Sequence, residues 1–292
     1  MRRQLIYFYE ELDKLKDTIV SFLTLLLFSS FKTAHIVSKL KREDKINCFI
    51  LGNGPSLKDV FHNEIRKQEL LNSDCIVTNR FANSDLFGIV KPKYYLLLDP
   101  AFSDKDAINK DQTIKSIYEN LHLISWKMIL FVKNGDDCKE ISKRIDNPQI
   151  SIVKYNATKI VGYNWFQNIC YKRNLGIPSS RNVIISALQL MINFGYKVIY
   201  LYGADFSWTK TIDVDPQNNR VFLNNTHFYS NNEIIYQDKG WYCSYLKYVA
   251  EMLDGLYQIE KYANYMAVKI INRTKGSYID AFEYENPDNL SN

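Results

Sequence analysis

Six consecutive residues, Gly52-Asn53-Gly54-Pro55-Ser56-Leu57, close an apolar run and open a mixed one. Paired glycines let a backbone turn sharply and come close to a ligand. Amides at the start of a following helix point at an anion, aided by the helix dipole. Asn53 adds a side-chain amide that donates and accepts, and Ser56 has Asp59 three residues on, the spacing of a capping box. The chemistry this favours is recognition of the phosphate or sugar of a nucleotide-type ligand. The spacing is neither a Walker loop nor GxGxxG, so neither ATP hydrolysis nor hydride transfer is indicated. Of the four histidines, His35 lies in the N-terminal segment, His62 on a helix flank and His122 beside an apolar run. Only His227 sits in a polar loop, where an imidazole suits proton transfer near neutrality.

Such residues act only if the fold brings them together. Apolar runs at Ile46–Leu51, Cys75–Thr78, Tyr94–Leu98, Met128–Val132, Ile150–Val153, Val198–Tyr202 and Val268–Ile271 read as strands. Helical periods lie between them, clearest over Asn182–Phe194, which Gly195 ends, and over Lys247–Met266. Strands alternating with helices predict an α/β fold with a mainly parallel, doubly wound sheet. Ligands of such sheets bind beyond the carboxyl ends of the strands. Those ends are Asn53-Gly54, Asn79-Arg80, Asp99-Pro100, Gly203-Ala204-Asp205 and Asn272, all polar or glycine after an apolar strand. Residues 213–236, rich in asparagine and aromatics, read as a long functional loop or lid, taken more broadly as about 207–240.

The 292 residues carry a net charge of +5, which suits an anionic ligand or membrane surface but not nucleic acid. Five scattered cysteines lack metal-ligand spacing and read as reduced thiols of a cytoplasmic protein. Asp213-Val214-Asp215 is a pair that would share a hard cation. It stands in a loop before Pro216 rather than at a strand end, so no metal is expected. The 21 tyrosines suit a sugar-binding cleft or an AT-rich genome equally. Residues 1–44 form a separate helical segment. Ile19–Phe31 is too short for a transmembrane helix and lacks the features of a cleaved signal. Its basic flanks fit an interfacial helix at the inner face of a membrane, with contact through residues 17–42. The alternative is packing on the body at 45–292 or on another subunit of a homo-oligomer.

Gly-Asn-Gly-Pro-Ser-Leu after an N-terminal strand resembles the opening of bacterial sialyltransferases of glycosyltransferase family 42. A related form occurs in motility-associated and pterin-diphosphokinase-like glycosyltransferases. The similarity continues in order through Asn79, Asp99-Pro100, Gly203-Ala204-Asp205-Phe206, the Asn225-Thr226-His227-Phe228-Tyr229 segment, and Ser277 with Phe282. The resemblance implies a Rossmann-like GT-A-variant fold with a lid. It also implies transfer of a sugar from a CMP-linked nonulosonate to a surface-glycan acceptor, with inversion and no divalent metal. His227 would be the general base. The donor would be held by Asn53, Gly54, Pro55, Ser56, Asn79, Arg80, Asp99, Ser180, Arg181, Asn182, Gly203, Asp205, Tyr229 and Ser277.

The chain departs from the family at two places. Ser207 stands where a phosphate-binding tyrosine is expected, leaving Tyr229 and Tyr236 as candidate replacements. Ser179-Ser180-Arg181-Asn182-Val183 replaces Arg-x-Thr-Ser-Gly, although Arg181 and Asn182 at a helix start still suit a carboxylate or phosphate. Other functional classes are a transferase using a different nucleotide sugar, a diphosphokinase-like phosphotransferase, and a non-catalytic subunit of a polysaccharide assembly complex. Phosphotransfer would require magnesium carboxylates near the turn, where residues 52–60 offer only Asp59.

Overall fold

A computed structural model describes residues 2–40, 46–135, 137–225, 233–287 and 289. The strands, in chain order, are β1 Asn47–Leu51, β2 Asp74–Thr78, β3 Tyr94–Leu97, β4 Met128–Lys133, β5 Ile150–Tyr155, β6 Val198–Tyr202, β7 Ile212–Asp215, β8 Arg220–Asn225, β9 Glu233–Tyr236, β10 Lys269–Asn272 and β11 Glu283–Tyr284. Eight of them form one sheet in the order β11-β10-β6-β1-β2-β3-β4-β5, with parallel pairing throughout. The sheet is doubly wound. The winding reverses between β1 and β6, whose residues pair from Asn47↔Val198 to Leu51↔Tyr202.

The apolar runs are continuous because both faces are covered. Cys48 and Ile50 enter one core with the helices Val183–Phe194 and Trp241–Tyr265. Phe49 and Leu51 enter the other, against Leu70, Ile114, Ile117 and Leu121. The Val183–Phe194 helix is buried almost all round, and Gly195 ends it at φ +94°. Tyrosines contribute heavily to these cores: Tyr94, Tyr95, Tyr155, Tyr171, Tyr196 and Tyr262 are among the largest fully buried side chains. That accounts for much of the tyrosine content without a sugar cleft.

Three sequence expectations change. The helix expected over Lys247–Met266 starts six residues earlier, at Trp241. The segment expected as a loop over 213–236 contains a three-stranded antiparallel sheet, β7-β8-β9. Here Asp215 accepts from the Gln217 amide (2.9 Å), Asn218 Nδ2 (2.7 Å) and the Tyr236 hydroxyl (2.6 Å). Both Asp215 and the candidate Tyr236 are thus engaged in holding this hairpin. The two-residue strand β11 extends the sheet beyond β10, which no apolar run announced.

The N-terminal segment is a 27-residue helix, Arg2–Phe28, and a 9-residue helix, Phe31–Lys39, bent by 87° at Ser29-Ser30. Among the described residues no single helix is long and apolar enough to cross a membrane. The segment docks on the body through Leu25, Ala34 and Val37, which join the core beside Cys48 and Ile50, and through polar groups. The Tyr163 and Val161 amides donate to Thr18 Oγ1 and Ser21 Oγ, each at 2.9 Å. Asn156, 4% exposed, accepts from the Ser30 amide (2.9 Å) and donates to the Ser30 and Asn174 carbonyls (each 3.0 Å). Asn156→Ala strands the Ser30 amide and the Asn174 carbonyl, while the Ser30 carbonyl keeps the Ala34 amide. It is expected to cost about 2–4 kcal/mol, since each unsatisfied group costs roughly 1–3. Urea unfolding would show this, and an unchanged midpoint would contradict it.

Candidate functional site

At the carboxyl edge, polar side chains join each strand end to the next. Asn53, after β1, donates through Nδ2 to the Thr78 carbonyl at the end of β2 (2.9 Å). Asn79, after β2, accepts the Leu98 amide beyond β3 through Oδ1 (3.1 Å), and the Tyr95 hydroxyl donates to its carbonyl. Asn79 sits at φ +46°, a left-handed conformation that asparagine tolerates better than most residues. Asp99, exposed at the end of β3, takes the Ala101 amide (3.0 Å) and caps the short Pro100–Phe102 turn. Each side chain is held by one atom. Asn53 Oδ1, Asn79 Nδ2 and Asp99 Oδ2 have no hydrogen-bond partner among the described residues, so an acceptor, a donor and a carboxylate oxygen remain for a ligand.

A second, charged group is brought together from three parts of the chain. Glu251, on the Trp241–Tyr265 helix, binds Lys159 Nζ (2.5 Å) and Arg181 Nε (3.0 Å). Lys159, seconded by Arg181, holds its carboxyl below the usual range. Tyr248 donates to the Arg181 carbonyl (2.6 Å), and the Arg181 guanidinium lies 5.3 Å from its ring centre. Burial raises the Tyr248 phenol, Arg181 opposes that rise, and the charge of Asp99 adds to it. Asp99 thus lies within electrostatic reach of the Tyr248 phenol that Arg181 contacts. Lys159, Tyr248 and Glu251 were not singled out from sequence. The i,i+3 spacing of Tyr248 and Glu251 on one helix face was the available signal.

The glycine turns meet at the switch between β1 and β6, the place where open α/β sheets take ligands. Gly52 N donates to the Tyr202 carbonyl and Gly54 N to that of Gly203, each at 2.8 Å. Asp205 fills the space beside Gly54 and accepts from Ser56 Oγ (2.8 Å) and the Ser56 amide (3.4 Å). Ser56 is therefore not the helix cap expected from its spacing with Asp59. Pro55 begins a three-residue 3-10 turn whose cap position is Gly54, with no side-chain cap. The chain's own carboxylate occupies the Ser56 donors that an external anion would use.

The Gly203–Asp205 turn is held on its other side too. Thr274 Oγ1 accepts the Ala204 amide (3.2 Å), Ser277 Oγ donates to the Ala204 carbonyl (2.6 Å), and the Tyr278 amide donates to the Asp205 carbonyl (2.9 Å). Gly203, Asp205 and Ser277 thus build the wall. Burial raises the Asp205 carboxyl, against the pull of the Ser56 donors. Because the folded chain then keeps this proton to higher pH than the unfolded chain, the group favours folding below its ordinary value of 3.8. That contribution is lost as pH rises through the raised value. Relative to the native chain, Asp205→Asn should therefore gain stability as pH climbs above that range. Denaturant titrations at several pH values would show it, and a pH-independent difference would contradict it.

The remaining residues divide. Arg80 turns away to Asp111 (3.1 Å) and to the Thr113 hydroxyl, tying down the start of the Gln112–His122 helix. Asn182 is buried, capping the Ile184 amide (2.7 Å) with Nδ2 on Met252 Sδ (3.3 Å). Ser180 and Arg181 are exposed beside Asn182. His227 and Tyr229 lie outside the described residues. A cavity of about 410 Å³ shares Ser56 with the turn junction and is lined also by Arg66, Tyr202 and Arg273. Arg273 there is already held by Glu69 (2.8 Å) and Glu285 (2.6 Å), which favours the asparagine row as the candidate site.

Fold and edge together define a doubly wound α/β protein with a row of polar side chains at the carboxyl ends of its first three strands. No protein-family model matches the chain, and no curated protein matches its sequence. Among solved structures, the fold is similar to that of the MAf glycosyltransferase from Magnetospirillum magneticum AMB-1, with a TM-score of 0.50 and 14% identity. The match covers 87% of this chain and 37% of that one, so this chain spans little more than a third of its length. At that identity the likeness is one of fold.

Proposed function

We propose that the protein is a glycosyltransferase that moves a sialic acid or related nonulosonate from a CMP-linked donor to a glycan acceptor. The observation that carries this reading is the row Asn53, Asn79 and Asp99, each with a polar atom left over, with Asp99 in electrostatic reach of Tyr248 beside Arg181. The fold shared with a MAf glycosyltransferase supports the reaction class. In this reading the asparagine amides and Asp99 bind the polar edges of the nucleotide and its ribose. Arg181 supplies positive charge toward the leaving phosphate, with Glu251 fixing the guanidinium in place. His227 takes the proton of the acceptor hydroxyl as its oxygen attacks the anomeric carbon. The bond from that carbon to the phosphate oxygen breaks, and CMP departs from the opposite face, giving inversion. No metal is required, because protein donors and Arg181 stabilise the leaving group.

Calorimetry with CMP tests the donor half of this reading. Saturable binding is expected, weakened roughly tenfold or more in Asp99→Ala, as for a lost hydrogen bond to a charged group. The unfolding midpoint should stay near that of the native chain, because Asp99 is exposed and caps only a short turn. No CMP binding, or equal binding by the variant, would count against it.

A further inference from the structure

The N-terminal helix presents its surfaces in an unusual order. Its hydroxyls face the body, through Thr18 and Ser21, with Leu25 as the buried apolar contact. Its large apolar side chains face outward. Phe8, Leu12, Leu15, Ile19, Phe22 and Leu26 are 59, 44, 45, 51, 49 and 53% exposed. Their spacing alternates four and three residues without a break, and Leu5 stands at the preceding position of the same repeat. That is the 3.5-residue period of a coiled-coil seam, over about three heptads. Glu11 and Lys16 fall at the two positions flanking the seam, five residues apart. In a parallel pair of such helices, the residue at the first of these positions faces the residue at the second on the partner. Opposite charges there make the surface complementary to itself. The bond of Glu11 to Lys14 (2.8 Å) lies at the surface and is too weak to compete strongly.

We infer that this helix is a dimerisation element that pairs in parallel with the same helix of a second copy of the chain. A lipid surface fits less well. The bent pair Ile6–Phe28 and Phe31–Lys39 matches a membrane span by length and composition only. Residues 2–17, however, carry four acidic groups (Glu10, Glu11, Asp13, Asp17) against four basic ones (Arg2, Arg3, Lys14, Lys16), whereas helices lying on anionic membranes are rich in Lys and Arg on the polar face. The described contacts to the body begin at Glu11, whose carbonyl accepts the Tyr163 hydroxyl (3.4 Å). The turns before it overhang the body, and a free-standing helical stretch that short is marginal in water without a partner. The pairing concerns a surface apart from the asparagine row and stands whether or not the glycosyltransferase reading does.

Light scattering on the eluting full chain tests this. The native chain should run at about twice its 34.3 kDa. Leu15→Glu or Phe22→Glu should run as single chains with their helical circular dichroism intact, since both residues are exposed. Glu11→Lys and Lys16→Glu should each weaken association several-fold, and the double variant should restore it, because reversing both charges recreates the pair. A native chain that is monomeric across the micromolar range would overturn the inference, as would a dimer indifferent to both seam variants. Vesicles containing phosphatidylserine supply the other arm. Binding by a monomeric chain that rises in Glu11→Lys and falls in Lys16→Glu would assign the face to lipid instead.

Discussion

Replacing Gly52 with alanine is expected to destabilise the fold by more than about 3 kcal/mol, a large fraction of the roughly 5–15 kcal/mol that holds a native domain together. A Cβ at this position would stand 2.3 Å from the Gly203 carbonyl oxygen and 2.9 Å from its carbon. Neither turn has room to yield. Gly203 sits at φ +65°, and a Cβ on it would lie 2.8 Å from the Gly52 carbonyl oxygen. Both turns are also tied by the amides of Gly52 and Gly54. Overpacking alone costs about 1–3 kcal/mol, and forcing the turns apart adds lost hydrogen bonds at about 1 kcal/mol each. Gly88→Ala is the control, because its Cβ would enter open space. Urea unfolding of both variants checks the expectation, and a Gly52→Ala midpoint close to that of the native chain would contradict it.

His227→Ala carries the largest expected effect on activity. If this imidazole removes the acceptor proton, its loss should lower kcat for sugar transfer by roughly 10²–10⁴-fold, the usual contribution of a general base. CMP binding should be nearly unchanged, since the proposed mechanism has the asparagine row and not the imidazole hold the nucleotide. Transfer within a few-fold of the native rate would remove His227 from the mechanism and favour a non-catalytic subunit. Parallel loss of CMP binding would instead point to a positioning role.

The sheet was legible in sequence because its strands are buried on both faces. Runs such as Cys48–Leu51 and Tyr94–Leu97 stay apolar without alternating, and polar or glycine residues mark where each one ends. Gly195 gave the end of the Val183–Phe194 helix for the same local reason, a left-handed position that glycine takes without strain. Side-chain partners were not legible. Ser56 has the spacing of a cap with Asp59, yet its hydroxyl goes to Asp205, 149 residues away. Arg80 stands at a strand end beside Asn79 but pairs with Asp111. Asn182 starts a helix as expected, and its amide is then consumed in capping it. Local spacing states which bonds a side chain is able to make, and the packing of distant segments decides which it does make. The same reason hid Lys159, Tyr248 and Glu251, which meet only once the Trp241–Tyr265 helix packs against the Val183–Phe194 helix.

The glycine turn has a sharper role than anion binding. Its amides and the Ser56 hydroxyl are used to lock β1 to β6 through Gly203 and Asp205. What the turn leaves for a ligand in the proposed reading is Asn53, together with Asn79 and Asp99 after the neighbouring strands. Donor hydrolysis by the full chain, measured with CMP-, UDP- and GDP-linked sugars with and without EDTA, tests this account most directly. Turnover of a CMP-linked nonulosonate that EDTA leaves unchanged is the predicted result. Activity confined to UDP-sugars and abolished by EDTA would contradict it.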